Sequence, residues 1–569
     1  MREEAPDDLT VTTAAGRLRG RRGDRVRTFQ GVPFAAPPVG ALRFRPPAPV
    51  PAWTGVRSAE RPGPASYQFN AVNESSVRKL AETIDPGVPG IMAWPDYANT
   101  TYRHDNAAED CLYLDLWVPD HEPGAKLPVY VYYHGGANAV SSGSFPLERG
   151  ENLAREQHII VVRPNYRLGA LGWVHFGLLG DDLAEAVNLG FQDQKAALEW
   201  VHATIAAFGG DPANLTIGGE SAGATAVSHL LTNPDTRGLV RRAVIQSLSP
   251  FNPWCTQQRP DAEAVARQYL DLLGMTTPAE LLDVDPDRLL AVQNVLGRWF
   301  EPDANLAWRP LGGVVDGHLI PELPALALSG KDVPAGDELE VMIGFAKDEW
   351  TFFRGHSDTV RSGSAEDVLA VLEQVFGVEA AGVYRSYEDL HPAHAPGHLL
   401  ADVMSMEFFK FSALAIADRL DAAGTTTYVF EFAYELPGLG GDLRAVHTGD
   451  IPFLFGNQTD EDLARWPAFD GIDRAELDRV SRAMRDLYGA FIRTGEPGRT
   501  WPRYRRDQQA VLWFGREIAA RPGLLSAERG VFEDGGVLDV AQLEDVLVRN
   551  LRARRQPQPI RRPVWTTTP

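Results

Sequence analysis

From Leu127 to Gln246 the chain alternates between two hydrophobic periods, and this limits the fold more than any other feature. "LPVYVYYHGG" and "IIVVRPNYR" are compact, β-branched and aromatic runs, each closed by Gly, Pro or polar residues, as strands of a buried sheet are. "NLGFQDQKAALEWVHATIAAFGG" then carries Phe191, Ala197, Leu198, Val201, Ile205 and Phe208 at helical spacing and stops at Gly209-Gly210. A short strand, "NLTIGG", a helical segment, "AGATAVSHLLTN", and a further strand, "RRAVIQS", follow. Strand, helix, strand, helix, strand is the grammar of a parallel sheet covered by helices. An α/β fold is expected.

The flanks extend this reading. "DCLYLDLWVP" and "TTYVFEFAYE" read as further strands, and "RAELDRVSRAMRDLYGAFIRTG" as a late amphipathic helix. Asp261 to Arg298 and Ala365 to Ala422 are mainly helical, which suggests insertions over about 255–340 and 355–445 that cap a pocket. Residues 1–550 are expected to form one domain, and the basic, Pro-rich 551–569 a disordered tail. A net charge of −21 argues against a nucleic-acid-binding surface, which needs a basic stripe. No apolar run approaches the ~18 residues of a membrane span. "MREEAPDDLTV" lacks the apolar run of a secretory signal, and Cys111 and Cys255 allow at most one bridge. These features predict a cytoplasmic protein without stable membrane association, as a monomer or small homo-oligomer.

One serine stands where the grammar changes. Ser221, in "LTIGGESAGATAVSHLL", lies between Gly219 and Gly223, at the turn from a strand into the helix that begins at Ala222. Such a turn exposes a nucleophile and needs small neighbours, which Gly219, Ala222, Gly223 and Ala224 provide. The helix N-terminus offers unpaired N–H groups and a positive dipole end to a developing oxyanion. The loop from His134 to Asn138, "HGGAN", follows another strand, and its glycines let backbone amides approach a substrate carbonyl. A base and a carboxylate are still required, in the chain order serine, acid, histidine. His229, His318, His356, His391, His394, His398 and His447 all follow Ser221, and spacing does not choose among them. His391, His394 and His398 mimic metal-ligand spacing, but Pro392 and Pro396 oppose a regular helix and no nearby Cys or carboxylate cluster supports a site. A surface loop without metal is the expectation there.

Several blocks carry a resemblance: "FQGVPFAAPPVGALRFRPP", "EDCLYLDLWVP", "YHGGA", "NYRLGALGW", "FGGDPANLTIGGESAGA", "GFAKDEWTFF" and "HTGDIPFLFGN". In order along the chain they resemble the type-B carboxylesterase family of α/β-hydrolases, closest in character to bacterial para-nitrobenzyl-type esterases. The resemblance runs from about Leu9 to about Phe514. It implies the α/β-hydrolase fold, with Ser221 as nucleophile, Glu349 in "AKDEW" as triad acid and His447 in "VHTGD" as base. It implies the amides of Gly136, Ala137 and Ala222 as oxyanion donors, with Glu220 and Ser247 supporting the histidine. Trp254 matches a family residue on the acyl side of the pocket, Phe352 is one of several aromatic residues that suggest a largely apolar pocket, and no cofactor or metal is needed. The implied substrate is a small to medium, largely apolar ester.

Departures from the family pattern are few. Ala137 stands where many relatives have a third glycine, and Ser66 where they often have the cysteine that pairs with the one at Cys111. Trp350, Leu248 and Thr448 also replace glycines. Carbamate or amide hydrolysis, or acyl transfer to another acceptor, would use the same triad. A non-catalytic binding protein on this scaffold would typically have lost one of the three residues.

Overall fold

The computed structural model describes residues 9–70, 72–84, 106–249, 256–296, 311–328, 339–356, 358–457 and 467–534. The 551–569 tail and Trp254 lie outside them. The main sheet has eleven strands: β1 (Arg21–Arg22), β2 (Val26–Pro33), β3 (Tyr113–Pro119), β4 (Leu127–Tyr133), β5 (Ile160–Pro164), β6 (Gly210–Glu220), β7 (Arg242–Gln246), β8 (Glu340–Ala346), β9 (Thr426–Phe432), β10 (Ala510–Phe514) and β11 (Ile518–Pro522). Their spatial order is β11-β10-β9-β8-β7-β6-β4-β5-β3-β2-β1. Every pair from β5 through β10 is parallel, and the pairs beyond them at both ends are antiparallel. β5, β7 and β9 are buried at every residue, which is why their apolar residues run together, as in Ile160–Val162, Ala243–Ile245 and Tyr428–Phe430, rather than alternating with polar ones.

Two helices flank the central crossing. α1 (Leu189–Thr204) continues as a 3-10 turn to Phe208, and the six apolar residues that predicted it are all buried. α2 (Ala222–Thr232) begins one residue after Ser221. A buried ion pair fixes α1 to the segment after β5. Arg167 donates from Nε to Asp193 Oδ2 and from Nη2 to Oδ1, both at 2.7 Å, and its backbone N–H adds a 3.0 Å bond to Oδ2.

The second helical stretch contains α3 (Ala380–Leu390), α4 (Pro396–Ser405), one π-helical turn (Met406–Lys410) and α5 (Phe411–Ala422). It closes at Ala422, and β9 returns to the sheet between β8 and β10. Pro396 starts α4 rather than opposing it, because a first-turn proline needs no N–H partner. His398 is therefore helical. The late helix, α6 (Arg474–Thr494), ends at Gly495 with φ 81°, the left-handed cap that glycine favours.

The connection from β4 leads to β5 on one side, whereas β6 returns on the other. The crevice beyond the carboxyl ends at such a switch point is where open α/β sheets bind ligands. Every sequence-derived site residue inside the described segments lies at or beyond the carboxyl end of β4, β6, β7, β8 or β9.

Candidate active site

The turn at Ser221 is as sharp as its sequence requires. Ser221 has φ 56° and ψ −120°, a conformation that side chains rarely adopt, and is held by its own N–H on Gln246 O (3.0 Å) and by Thr225 N on its carbonyl (3.1 Å). The flanking glycines are needed for space. A Cβ at Gly223 would lie 2.0 Å from Tyr133 O, and one at Gly219 would lie 2.4 Å from the Gly223 backbone. Close approach of α2 to the end of β4 thus leaves Ser221 half-buried while its surroundings are closed.

Facing it is the loop after β4. Gly136, Ala137 and Asn138 have φ of 98°, 53° and 58°, a run that turns successive amides to one side. Among the described residues, none accepts a hydrogen bond from the backbone N–H of Gly136, Ala137 or Ala222. The loop is anchored by Asn138 Nδ2 on Leu311 O (2.7 Å) and by the Tyr166 hydroxyl on His134 O (2.7 Å). A side chain at Gly136 would meet Val140 O at 2.3 Å, so glycine is required there, whereas Ala137 keeps the turn with a methyl group in place.

Glu349 and His447 come from the ends of β8 and β9. Glu349 is fully buried, with Oε1 accepting the Ala346 N–H (2.7 Å) and Oε2 accepting His447 Nδ1–H (2.5 Å). The other ring nitrogen, Nε2, lies 3.1 Å from Glu220 Oε1. Burial alone pushes the imidazole down, but Glu220 and then Glu349 outweigh it and raise His447 to about 9. Burial pushes the Glu220 carboxyl well above the usual range, with His447 opposing. The two groups are coupled across this 3.1 Å contact, each favouring the charged form of the other.

Aromatic rings close the site from the side. Phe352 meets the His447 ring edge-on with centroids 5.5 Å apart, and Phe409 of the π-helical turn lies at 5.1 Å. Trp350 packs on Phe408 at 4.5 Å, and its backbone N–H donates to Ser405 Oγ (2.9 Å) in α4. Ser247 has φ 53° and a buried hydroxyl with no hydrogen-bond partner among the described residues, so it supports the region by its backbone bond to Gly344 O (2.7 Å). Thr448, φ 68°, explains why relatives can use glycine there.

Three features were missed by reading the sequence. Asp450 is buried and accepts Gln246 Nε2 (2.7 Å), joining the ends of β7 and β9. A carboxylate does reach the histidine cluster: Asp402 Oδ2 accepts His394 Nδ1–H (2.6 Å), and ligand-type atoms of His391, His394 and Asp402 lie within 4.8 Å of one another. Arg444 stands against the same Asp402 and His394. Cys111, by contrast, is the buried free thiol that a serine at position 66 leads one to expect, and burial pushes it up to about 12. Among the described residues no helix is long and apolar enough to cross a membrane.

Residues 7–529 match the carboxylesterase family. A phenmedipham hydrolase of Pseudarthrobacter oxydans is 32% identical over 519 residues, covering 89% of this chain and 95% of the relative. The para-nitrobenzyl esterase of Bacillus subtilis is 30% identical over 532 residues, with the same coverages of 89% and 95%. Among solved structures, a Geobacillus stearothermophilus carboxylesterase superposes with a TM-score of 0.77 at 31% identity, covering 92% of this chain and 100% of the other. A sheet with this parallel core, an elbow serine at its switch point and matches across nine-tenths of the length lead to one conclusion: the chain belongs to the type-B carboxylesterase family, has the α/β-hydrolase fold and is a serine carboxylesterase.

Proposed function

We propose that Ser221, His447 and Glu349 form the triad of a two-step acyl transfer from an ester to water. The amides of Gly136, Ala137 and Ala222 serve as the oxyanion hole. The observation that carries this reading is the buried imidazole of His447, held at Nδ1 by Glu349 beside an elbow serine. His447 Nε2 takes the Ser221 proton as Oγ attacks the carbonyl carbon. Glu220 and Ser221 are chain neighbours, so exchange of the Nε2 partner from one to the other is local. The three amides hold the tetrahedral oxyanion, each such donor contributing about 3 kcal/mol. The departing alcohol takes the proton from His447. Water then attacks the acyl-enzyme with His447 again as base, which releases the acid and restores Ser221.

The rings of Phe352 and Phe409 around His447 favour small to medium, largely apolar esters. The para-nitrobenzyl esterase relative makes benzyl-type esters the first to try. Incubation with a small dialkyl fluorophosphate tests the nucleophile directly. A single phosphoryl adduct on Ser221, with proportional loss of esterase activity, is the expected result. Inactivation with the adduct on another residue, or none, would refute the reading.

A pH dependence follows from the two carboxylates around the imidazole. A general base must be neutral, so kcat/KM falls as pH drops below the pKa of His447, and with that value near 9 the rate should still climb from pH 7 to 9. Glu220→Gln removes the largest influence raising His447 and leaves burial to act. The acid limb should then move down by about 1–3 pH units. An unmoved limb in the variant would show that Glu220 does not set the basicity of His447.

A further inference from the structure

Glu349 and His447 sit on loops from different strands, and their 2.5 Å contact depends on how those loops are held. The residue before Glu349 and the segment before His447 are tied together. Asp348 N–H donates to Ala445 O (3.0 Å), and Ala445 N–H donates to Asp348 Oδ2 (3.1 Å). Thr351 Oγ1 lies within 2.7 Å of Leu443 O. Asp348 itself is almost wholly buried, a costly place for a carboxylate unless a cation meets it. Arg444 does so, with Nη1 3.0 Å from Asp348 Oδ1.

The same guanidinium reaches the helical insertion. Arg444 Nη1 lies 3.2 Å from Asp402 Oδ1 in α4, and Nη2 lies 3.2 Å from His394 Nε2 just before it. His394 donates from Nδ1 to Asp402 Oδ2, so its Nε2 is free to accept from Arg444. With this tautomer the cluster is matched to the Arg444 guanidinium. A metal on Nδ1 would leave a hydrogen on Nε2, opposite the guanidinium donor. The cation that the cluster holds is Arg444.

Arg444 also has φ 57°, a strained conformation for arginine that its ion pairs offset. Three consecutive residues are therefore fixed from three sides: Asp348 by Arg444, Glu349 by His447, and Trp350 by Ser405 of α4.

We propose that Arg444 is a positioning residue, whose bridge from Asp348 to Asp402 sets the reach of His447 towards Glu349 and Ser221. The inference rests on the triad reading above. The bridge makes α4 part of the support for the catalytic loops. A misplacement of about 1 Å is enough to cost about 100-fold in rate.

Arg444→Gly, Arg444→Lys and Asp402→Asn test it against wild type and Ser221→Ala. Glycine accepts the left-handed backbone, so a loss in Arg444→Gly reports the missing guanidinium rather than strain. It should lower kcat about 10–100-fold with KM changed less than about threefold, and Arg444→Lys should restore part of kcat. Asp402→Asn should lower kcat by a smaller factor and decides the matter if Arg444→Gly does not fold. Wild-type kcat in Arg444→Gly, or in Asp402→Asn, overturns the proposal. So does equal loss in the glycine and lysine variants. If Ser221→Ala is inactive while Arg444→Gly keeps full kcat, the positioning role alone fails. If Ser221→Ala stays active, the triad reading has failed first.

Discussion

Ser221→Ala is expected to lower kcat on a p-nitrophenyl ester by about 10⁶-fold while leaving thermal unfolding within about 1 °C of wild type. The size comes from removing the nucleophile of a group of residues that act as a unit. What remains is the contribution of the oxyanion amides and of binding. The unchanged stability follows from the hydrogen bonds at the turn. Ser221 is held through its backbone, by N–H to Gln246 and by its carbonyl to Thr225, and alanine keeps both. The backbone at φ 56° is equally strained for either residue. Rates measured with a spectrophotometric ester, together with a thermal melt of the same preparation, give both numbers. Retention of more than about a thousandth of kcat in a folded variant would move the chemistry to another residue.

Asp193→Ala should destabilise the protein by about 3–5 kcal/mol, because it leaves the Arg167 charge buried without its partner. Arg167 and Asp193 are among the most enclosed charges of the described residues, and three hydrogen bonds join them. Arg167 also donates to Arg45 O (2.7 Å), so the guanidinium cannot simply swing to solvent. The expected observations are a lower melting temperature, a lower urea midpoint and faster heat inactivation. The double variant Arg167→Met/Asp193→Leu should recover part of the loss, since it removes the orphaned charge along with the pair. A single variant that melts within about 1 °C of wild type would show that water or another acceptor compensates Arg167.

Local signals were enough for the sheet core and for the elbow. α1 was legible because its six apolar positions share one face, and Ser221 because a strand pattern stops and a helix pattern starts around it. The base was not legible in the same way. Glu349 and His447 are 98 residues apart, and only the parallel pairing of β8 with β9 brings their loops together. Seven histidines follow Ser221, so residue type alone left the choice open until the family resemblance narrowed it. β8 lies beside a segment outside the described residues and, as an unbroken apolar run, carries no alternation of its own. Asp402 and Arg444 escaped for the opposite reason. Each is an ordinary charge in its own sequence neighbourhood and acquires a role only where α4 meets the loop after β9.

Among the described residues around the site, Ala137, Asn138, Ser221, Ser247, Arg444 and Thr448 have left-handed backbone without being glycine, with φ between 53° and 68°. Each holds roughly 1–3 kcal/mol of strain that the rest of the molecule must balance. Selection for robustness and selection for turnover therefore pull in opposite directions at these six positions. A glycine at Ala137 or Thr448 would relax the chain while widening the range of shapes that the catalytic loops visit. Laboratory evolution for heat resistance alone should find such changes early, and should lose rate as it does so.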